Sequence, residues 1–276
     1  MALRFDRALG ALLGTLLGDA IGRPFEGASP GPSLERQLER RLAAPRALSY
    51  SDDGEMTLAL GDAIRRTGRV DADAILDAMA RRHEPARVSG KGARAAFRAR
   101  QRGVSRAEAV RVTWAEGSRG NGAAVRVAPI ALFEDTEGAV IAAARESAGA
   151  THAHEEAKAA AAVVALAIFR ATRDHPTLFE DAPPERPGPP SVFALDSVRA
   201  AAWAVTGAGD AASAITRAIL LGGDTDSVGA ISGAVAGARF GASTLPDAWL
   251  TALEPGARRE ATELATWLAT PAAQRP

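Results

Sequence analysis

A chain of 276 residues with 47% hydrophobic side chains is long enough to bury a core and too apolar to be disordered. Lys+Arg and Asp+Glu each number 33, so no net charge favours nucleic acid or an anionic membrane as the main partner. The absence of cysteine and a count of four histidines exclude disulfides, thiolate metal sites and His-rich sites, leaving hard cations held by oxygen.

The first segment, "MALRFDRALGALLGTLLGDAIG", imitates a secretory leader in its early arginines, apolar run and small-x-small end. Asp6 interrupts the basic region, however, and Gly10, Gly14, Gly18 and Gly22 recur every four residues. That spacing sets them on one helical face where another backbone can approach, so a buried packing helix is expected. Helical periodicity predicts helices at 8–21, 52–66, 71–82, 105–114, 137–149, 154–172, 193–206, 210–220, 227–240 and 257–269. Period-two alternation is nearly absent; "AVRVTW" at 109–114 is a weak strand candidate that fits a helix as well. The basic run from Arg94 to Arg102 reads as a solvated helix face. Two stretches, 28–33 and the proline-rich 174–191, read as loops. The fold class is all-α, with one domain over 1–276. The loop at 174–191 is internal to that domain, because the best motifs lie on both sides of it, and the tail at 271–276 is expected to be flexible. No stretch after the first segment approaches the roughly 20 apolar residues of a membrane span.

The motifs that carry chemistry are two acidic helix starts. In "SDDGEMTL", beginning at Ser51, Asp52 can serve as an N-cap and Glu55 can close a capping box. In "LLGGDTDSVGAISGAVAGA", beginning at Leu220, Asp226 or Ser227 can cap a helix of small residues. A cap needs one side-chain oxygen, yet each start offers two carboxylates and a hydroxyl. Brought together, four carboxylates repel unless cations neutralise them, and six hard oxygens with water suit two octahedral Mg²⁺ ions. Spacing alone leaves open whether the two starts meet. A third stretch, "GSRGNGAAVRVAP" from Gly117, is either a tight loop before a helix or a glycine loop exposing backbone N–H groups to phosphate. In "THAH", from Thr151, the two histidines point apart on a helix, and His154 reads as a surface or capping residue.

The order "GALLGTLLGDAIGRPFEG", "YSDDGEMTLAL", "GSRGNGAAVRVAPIAL", "SAGATHAHEEA" and "LLGGDTDSVGAISGAVAGA" resembles the ADP-ribosylhydrolase (ADP-ribosylglycohydrolase) family from about residue 8 to residue 250. The resemblance implies an all-α orthogonal helical bundle with a binuclear Mg²⁺ site, Mn²⁺ being able to substitute. It implies metal ligation by Ser51, Asp52, Asp53, Asp224, Asp226 and Ser227, and a mobile acid at Glu26. Gly117, Ser118, Arg119, Gly120, Asn121 and Gly122 match the loop along the ADP-ribose, and His152 matches a histidine beside the substrate. Ser51 and Ser227 replace commoner threonines, Gly54 replaces a usual threonine that would stiffen the helix start, and Arg119 stands where an aromatic is frequent. "EPARVSGKGARAAF" is similar to a segment of the serine-linkage branch, with Val88-Ser89 in place of its Gly-Tyr, whereas "SDDGEM" leans toward the arginine-linked, dinitrogenase-reductase-activating branch.

The implied reaction is hydrolysis at an anomeric carbon through an oxocarbenium-like state, with Glu26 or Asp53 handling the proton. The expected substrate is an ADP-ribosylated protein, serine- or arginine-linked, or a small ADP-ribose derivative. Nucleic acid is expected only as an ADP-ribosylated substrate, and no membrane partner is expected. A cytoplasmic monomer is expected. The competing reading is a non-catalytic ADP-ribose-binding or structural member of the same scaffold. A nucleotide-dependent kinase-like reading lacks a phosphate loop of the G-x-x-x-x-G-K-[ST] kind.

Overall fold

The computed structural model describes residues 2–87, 90–271 and 274–275. Val88 and Ser89, which depart from the serine-linkage segment, lie outside the described residues, as do Ala272, Ala273 and Pro276 of the tail. The first half of the chain forms α1 (Ala2–Gly22), α2 (Pro32–Ala43), α3 (Asp52–Thr67), α4 (Ala72–Arg82) and α5 (Lys91–Gln101). The short α6 (Arg106–Ala109), α7 (Gly122–Val125) and α8 (Ala128–Phe133) follow. The second half forms α9 (Glu137–Ala148), α10 (Glu155–Ala171), α11 (Ala194–Thr206), α12 (Ala211–Ile219), α13 (Thr225–Phe240), α14 (Asp247–Ala252) and α15 (Pro255–Ala269). Among the described residues no strand forms; the fold is all-α, as expected.

The centre of the molecule is α1 laid antiparallel against α13. The glycine repeat makes this possible. A Cβ on Gly10 would lie 2.2 Å from Gly237 O, one on Gly14 2.0 Å from Gly233 O, and one on Gly18 2.0 Å from Gly229 O. Gly22 meets Thr225 O in the same way at 2.3 Å. Backbone faces backbone along the whole seam, so no side chain could be accommodated without separating the helices. Around this pair, α12, α11 and α10 pack against α13, and α15 packs against α1; α3 contacts both α1 and α15. The seam therefore fixes where the C-terminal end of α1 meets the N-terminal end of α13.

The expected helix at 105–114 ends at Ala109. Beyond it Arg111 N and Val112 N reach only Glu108 O and Ala109 O, three residues back, in a stretch with β-branched Val110, Val112 and Thr113. The strand alternative "AVRVTW" does not form either. The loop expected at 28–33 gives way to α2 at Pro32, because proline suits a first helical turn, where its missing N–H costs nothing. Helix α5, for which the periodicity gave no range, carries the basic run from Arg94 as a solvated face, with Ala93, Ala96, Phe97 and Ala99 as its buried side. The segment 174–191 has no regular structure. Its end is stitched in nonetheless, with Asp224 N donating to Pro190 O and Asn121 N to Val192 O.

Candidate active site

At α3 the cap is Ser51, not Asp52. Its hydroxyl accepts from Asp53 N at 3.1 Å, and Asp52 is the first helical residue. Glu55 closes no box; it accepts from Glu84 N at 2.9 Å and so ties the chain after α4 back onto α3. Relieved of capping, the carboxylates of Asp52 and Asp53 are aimed elsewhere. Gly54, rather than loosening this start, tightens it: a Cβ there would lie 2.7 Å from Tyr50 Cδ2 and 2.8 Å from Leu16 Cδ2.

At α13 the N-cap is Asp224, with no side-chain cap bond, rather than Asp226 or Ser227. The double glycine before it takes left-handed angles, φ 71° at Gly222 and 66° at Gly223. Only glycine adopts these without strain. The turn swings Asp224 toward α7, where Asn121 Nδ2 donates to Asp224 Oδ2 at 2.6 Å and to Ser197 Oγ at 2.8 Å. Ser227 Oγ donates to Asp53 Oδ2 at 2.8 Å, a bond between the two helix starts across 174 residues of sequence. The two motifs do meet.

They meet on one cavity of about 460 Å³. Glu26, Asp52, Asp53, Asp224, Asp226 and Ser227 form its acidic wall, and Ser118, Gly120, Asn121, Gly122 and His152 line it as well. Lys91, Arg94 and Trp114 complete the mouth. Three expected site residues do not line it. Ser51 Oγ is engaged as a cap, and Gly117 packs against Ala153. Arg119 is held outside by a two-bond pair with Glu156, at 2.6 and 2.8 Å. The glycine loop offers less to phosphate than its composition suggests, because Gly120 N donates to Ser118 Oγ and Asn121 N to Val192 O. Its glycines instead make room for the His152 ring, which stands 3.4 Å from where Cβ atoms of Gly120 and Gly122 would be. His154 is the N-cap of α10, its Nδ1 accepting from Glu156 N at 3.2 Å.

The electrostatics of the acidic wall are strained. Burial pushes Asp52 and Asp53 well above the ordinary carboxylate range, and the neighbouring carboxylates push them further. Burial and Asp224 raise Asp226 to about 7. Glu26, at the rim, is raised chiefly by the charge of Asp226. Two residues that the sequence reading did not assign belong to this network. Asp19 on α1 is fully buried, and its carboxylate accepts from Ser51 N at 2.9 Å and Gly54 N at 2.8 Å, pinning the start of α3. Burial and Asp226 still raise it to about 7. Arg126, also fully buried, is the cation nearest to this wall in the interior; burial lowers it to about 9 and Asp53 opposes that. The available signal was a charge inside an apolar run, Asp19 in "LLGDAIG" and Arg126 in "AAVRVAP".

Donor type and charge suit a hard cation: the buried carboxylates of Asp53, Asp224 and Asp226 and the half-buried one of Asp52 repel one another beside hydroxyls. As arranged here, Asp224 accepts from Asn121 and Asp53 accepts from Ser227, and among the described residues no three carboxylate or histidine side chains converge as ligands of one ion. A cation held here would have to separate Ser227 from Asp53 and take over the neutralisation of the wall.

A family model described as ADP-ribosylglycohydrolase matches residues 1–276. The chain is 29% identical to the ADP-ribosyl-[dinitrogen reductase] glycohydrolase of Rhodospirillum rubrum over 92% of each chain. It is 43% identical to the ADP-ribosylarginine hydrolase Tri1 of Serratia proteamaculans (strain 568), over 23% of this chain and 17% of that protein. A solved structure titled ADP-ribosylglycohydrolase-related protein complex superposes with a TM-score of 0.76 at 28% identity, covering 98% of both chains.

Proposed function

The chain belongs to the ADP-ribosylglycohydrolase family, so hydrolysis of an ADP-ribose linkage is its reaction class, and we propose that it is a Mg²⁺-dependent hydrolase freeing protein side chains, arginine foremost, from ADP-ribose. The observation that carries this reading is the meeting of the two acidic helix starts on one cavity, joined by the Ser227–Asp53 bond at 2.8 Å. Arginine is favoured because both curated relatives carry that chemistry or a protein-linked ADP-ribose in their names.

Asp52, Asp53, Asp224, Asp226 and Ser227 would hold the cations, with Ser51 supporting Asp53 from behind. Bound Mg²⁺ would polarise ribose hydroxyls and lower the pKa of a coordinated water. The residues of the chain divide the remaining work. Glu26 at the rim, with its pKa raised by Asp226, can carry a proton to or from the leaving side chain. Asp53, buried and hydrogen-bonded to Ser227, is the alternative proton acceptor on the water side. Asn121 positions Asp224 and so couples the glycine loop to the acidic wall. Lys91 and Arg94 at the mouth supply positive charge for a diphosphate, binding energy remote from the bond that breaks.

The test is release of ADP-ribose from arginine-linked and serine-linked peptides, with Mg²⁺ and with EDTA. Release from the arginine peptide that EDTA abolishes and excess Mg²⁺ restores is expected. Release only from the serine peptide refutes the linkage; undiminished release in EDTA refutes the cation; binding without release from either peptide makes this a binding module.

A further inference from the structure

Arg126, Thr151 and His152 form a buried chain that the acidic wall does not use. Arg126 Nη1 lies 2.7 Å from Thr151 Oγ1, and Nη2 lies 2.9 Å from Ser147 O. A guanidinium only donates, so Thr151 Oγ1 accepts there and its own hydrogen needs another partner. The remaining atom within reach is His152 Nδ1, at 2.7 Å. If the hydroxyl donates to Nδ1, the imidazole hydrogen sits on Nε2. The reverse assignment would aim two donors at one hydroxyl and leave the hydroxyl hydrogen without an acceptor among the described residues. At the far side of the ring, Nε2 faces the cavity beside Gly120 and has no hydrogen-bond partner among the described residues, although His152 is 4% exposed.

We propose that Arg126 and Thr151 are positioning residues that hold His152 as its neutral Nε2–H tautomer, so that it donates a hydrogen bond to an acceptor oxygen of the ligand in the cavity. The ligand half of this inference rests on the ADP-ribose reading above; the tautomer half does not. Neutrality is supported by burial and by the charge of Arg126, which together press the ring's pKa down to about 3. A ring fixed in this way cannot take a proton at Nε2. It is a donor to phosphate or hydroxyl oxygen and not a general base.

The experiment is long-range ¹H–¹⁵N correlation of the imidazole nitrogens, assigned with His152→Asn, together with calorimetric binding of ADP-ribose and of ADP. The wild type is expected to show a protonated Nε2 and a bare Nδ1 from about pH 5 to about pH 8. Thr151→Val, nearly isosteric, is expected to populate the Nδ1–H form and weaken ADP-ribose binding about 5- to 10-fold, the worth of one hydrogen bond. Thr151→Ser is expected to restore both. An equal loss for ADP places the accepting oxygen on the diphosphate; a loss confined to ADP-ribose places it on the distal ribose. A wild-type Nδ1–H ring, a ring doubly protonated at about pH 6, or unchanged tautomer and affinity in folded Thr151→Val overturns the proposal. An Nε2–H ring in a protein that binds neither nucleotide overturns the reading of the cavity and leaves the relay standing.

Discussion

At the start of α3, Ser51 caps its own helix and Asp19 clamps the backbone from α1, so the turn is held by two side chains, one its own and one from a remote helix. At the start of α13 no side chain caps the helix, and Ser227 spends its hydroxyl across the site on Asp53. One start is anchored by polar side chains, Ser51 and Asp19; the other is anchored by the glycine seam behind it. Two motifs with nearly the same letters are therefore supported by different physics. That difference frees Asp224 from capping its helix, because packing has already fixed it, while Asp226 accepts the N–H of its neighbour Ser227.

The strongest way to break this comparison is to open the seam. Gly14→Val would drive a Cβ to 2.0 Å from Gly233 O, backbone that has nowhere to move. The expected result is loss of about 3 kcal/mol or more, read as failure to give a folded species or as a large fall in Tm.

The next largest effect is on the carboxylates themselves. Asp226→Asn keeps an acceptor for Ser227 N, now at 2.9 Å from Oδ1, while removing charge. Hydrolysis is expected to fall about 100-fold or more. Stability in EDTA should move the other way. A carboxyl whose folded pKa lies above its unfolded value binds its proton more tightly when folded; its contribution is full below about pH 4 and is lost as pH rises through about 7. Asp19 and Asp226, both raised from 3.8 to about 7, thus make the Tm in EDTA fall between about pH 5 and about pH 8. Asp226→Asn should flatten that slope, and saturating Mg²⁺ should do so in the wild type. A Tm that rises with pH over that window in EDTA would contradict the buried repulsion.

The smallest effect sharpens the contrast. Ser51→Ala removes a working cap and should cost about 1 kcal/mol in denaturant unfolding. Ser227→Ala removes no cap, so its stability cost should be smaller while the Mg²⁺ dependence of activity shifts to higher concentration.

The sequence was informative where one residue type has one physical use. Glycines every four residues announced the seam, and a surplus of oxygens over capping needs announced the two acidic starts. It misled where several partners compete for one group. Ser51, Asp52 and Glu55 are all competent to cap, and the choice among them depends on Asp19 and Glu84, remote in sequence. The loop at 117–122 could be read as a tight loop or as a bed for phosphate, and two of its N–H groups, those of Gly120 and Asn121, are claimed by Ser118 and by Val192, more than 70 residues on. Helix α5 was legible only as a solvated basic face and not in its bounds, because its apolar face is only alanines and one phenylalanine among arginines. Asp19 and Arg126 were visible as charges in apolar runs, but nothing in their neighbours' identities says what they serve.

The pairing of α1 with α13 also has a cost in time. Gly22 and Thr225 are neighbours in space, so a ribosome adding roughly 5–20 residues per second leaves the glycine face of α1 without its mate for about 10–40 seconds. Through that interval the molecule has a flat, sticky helix surface and no centre. Synthesis in the cell must either shield that surface or hold the first helix loosely until the last quarter of the chain emerges.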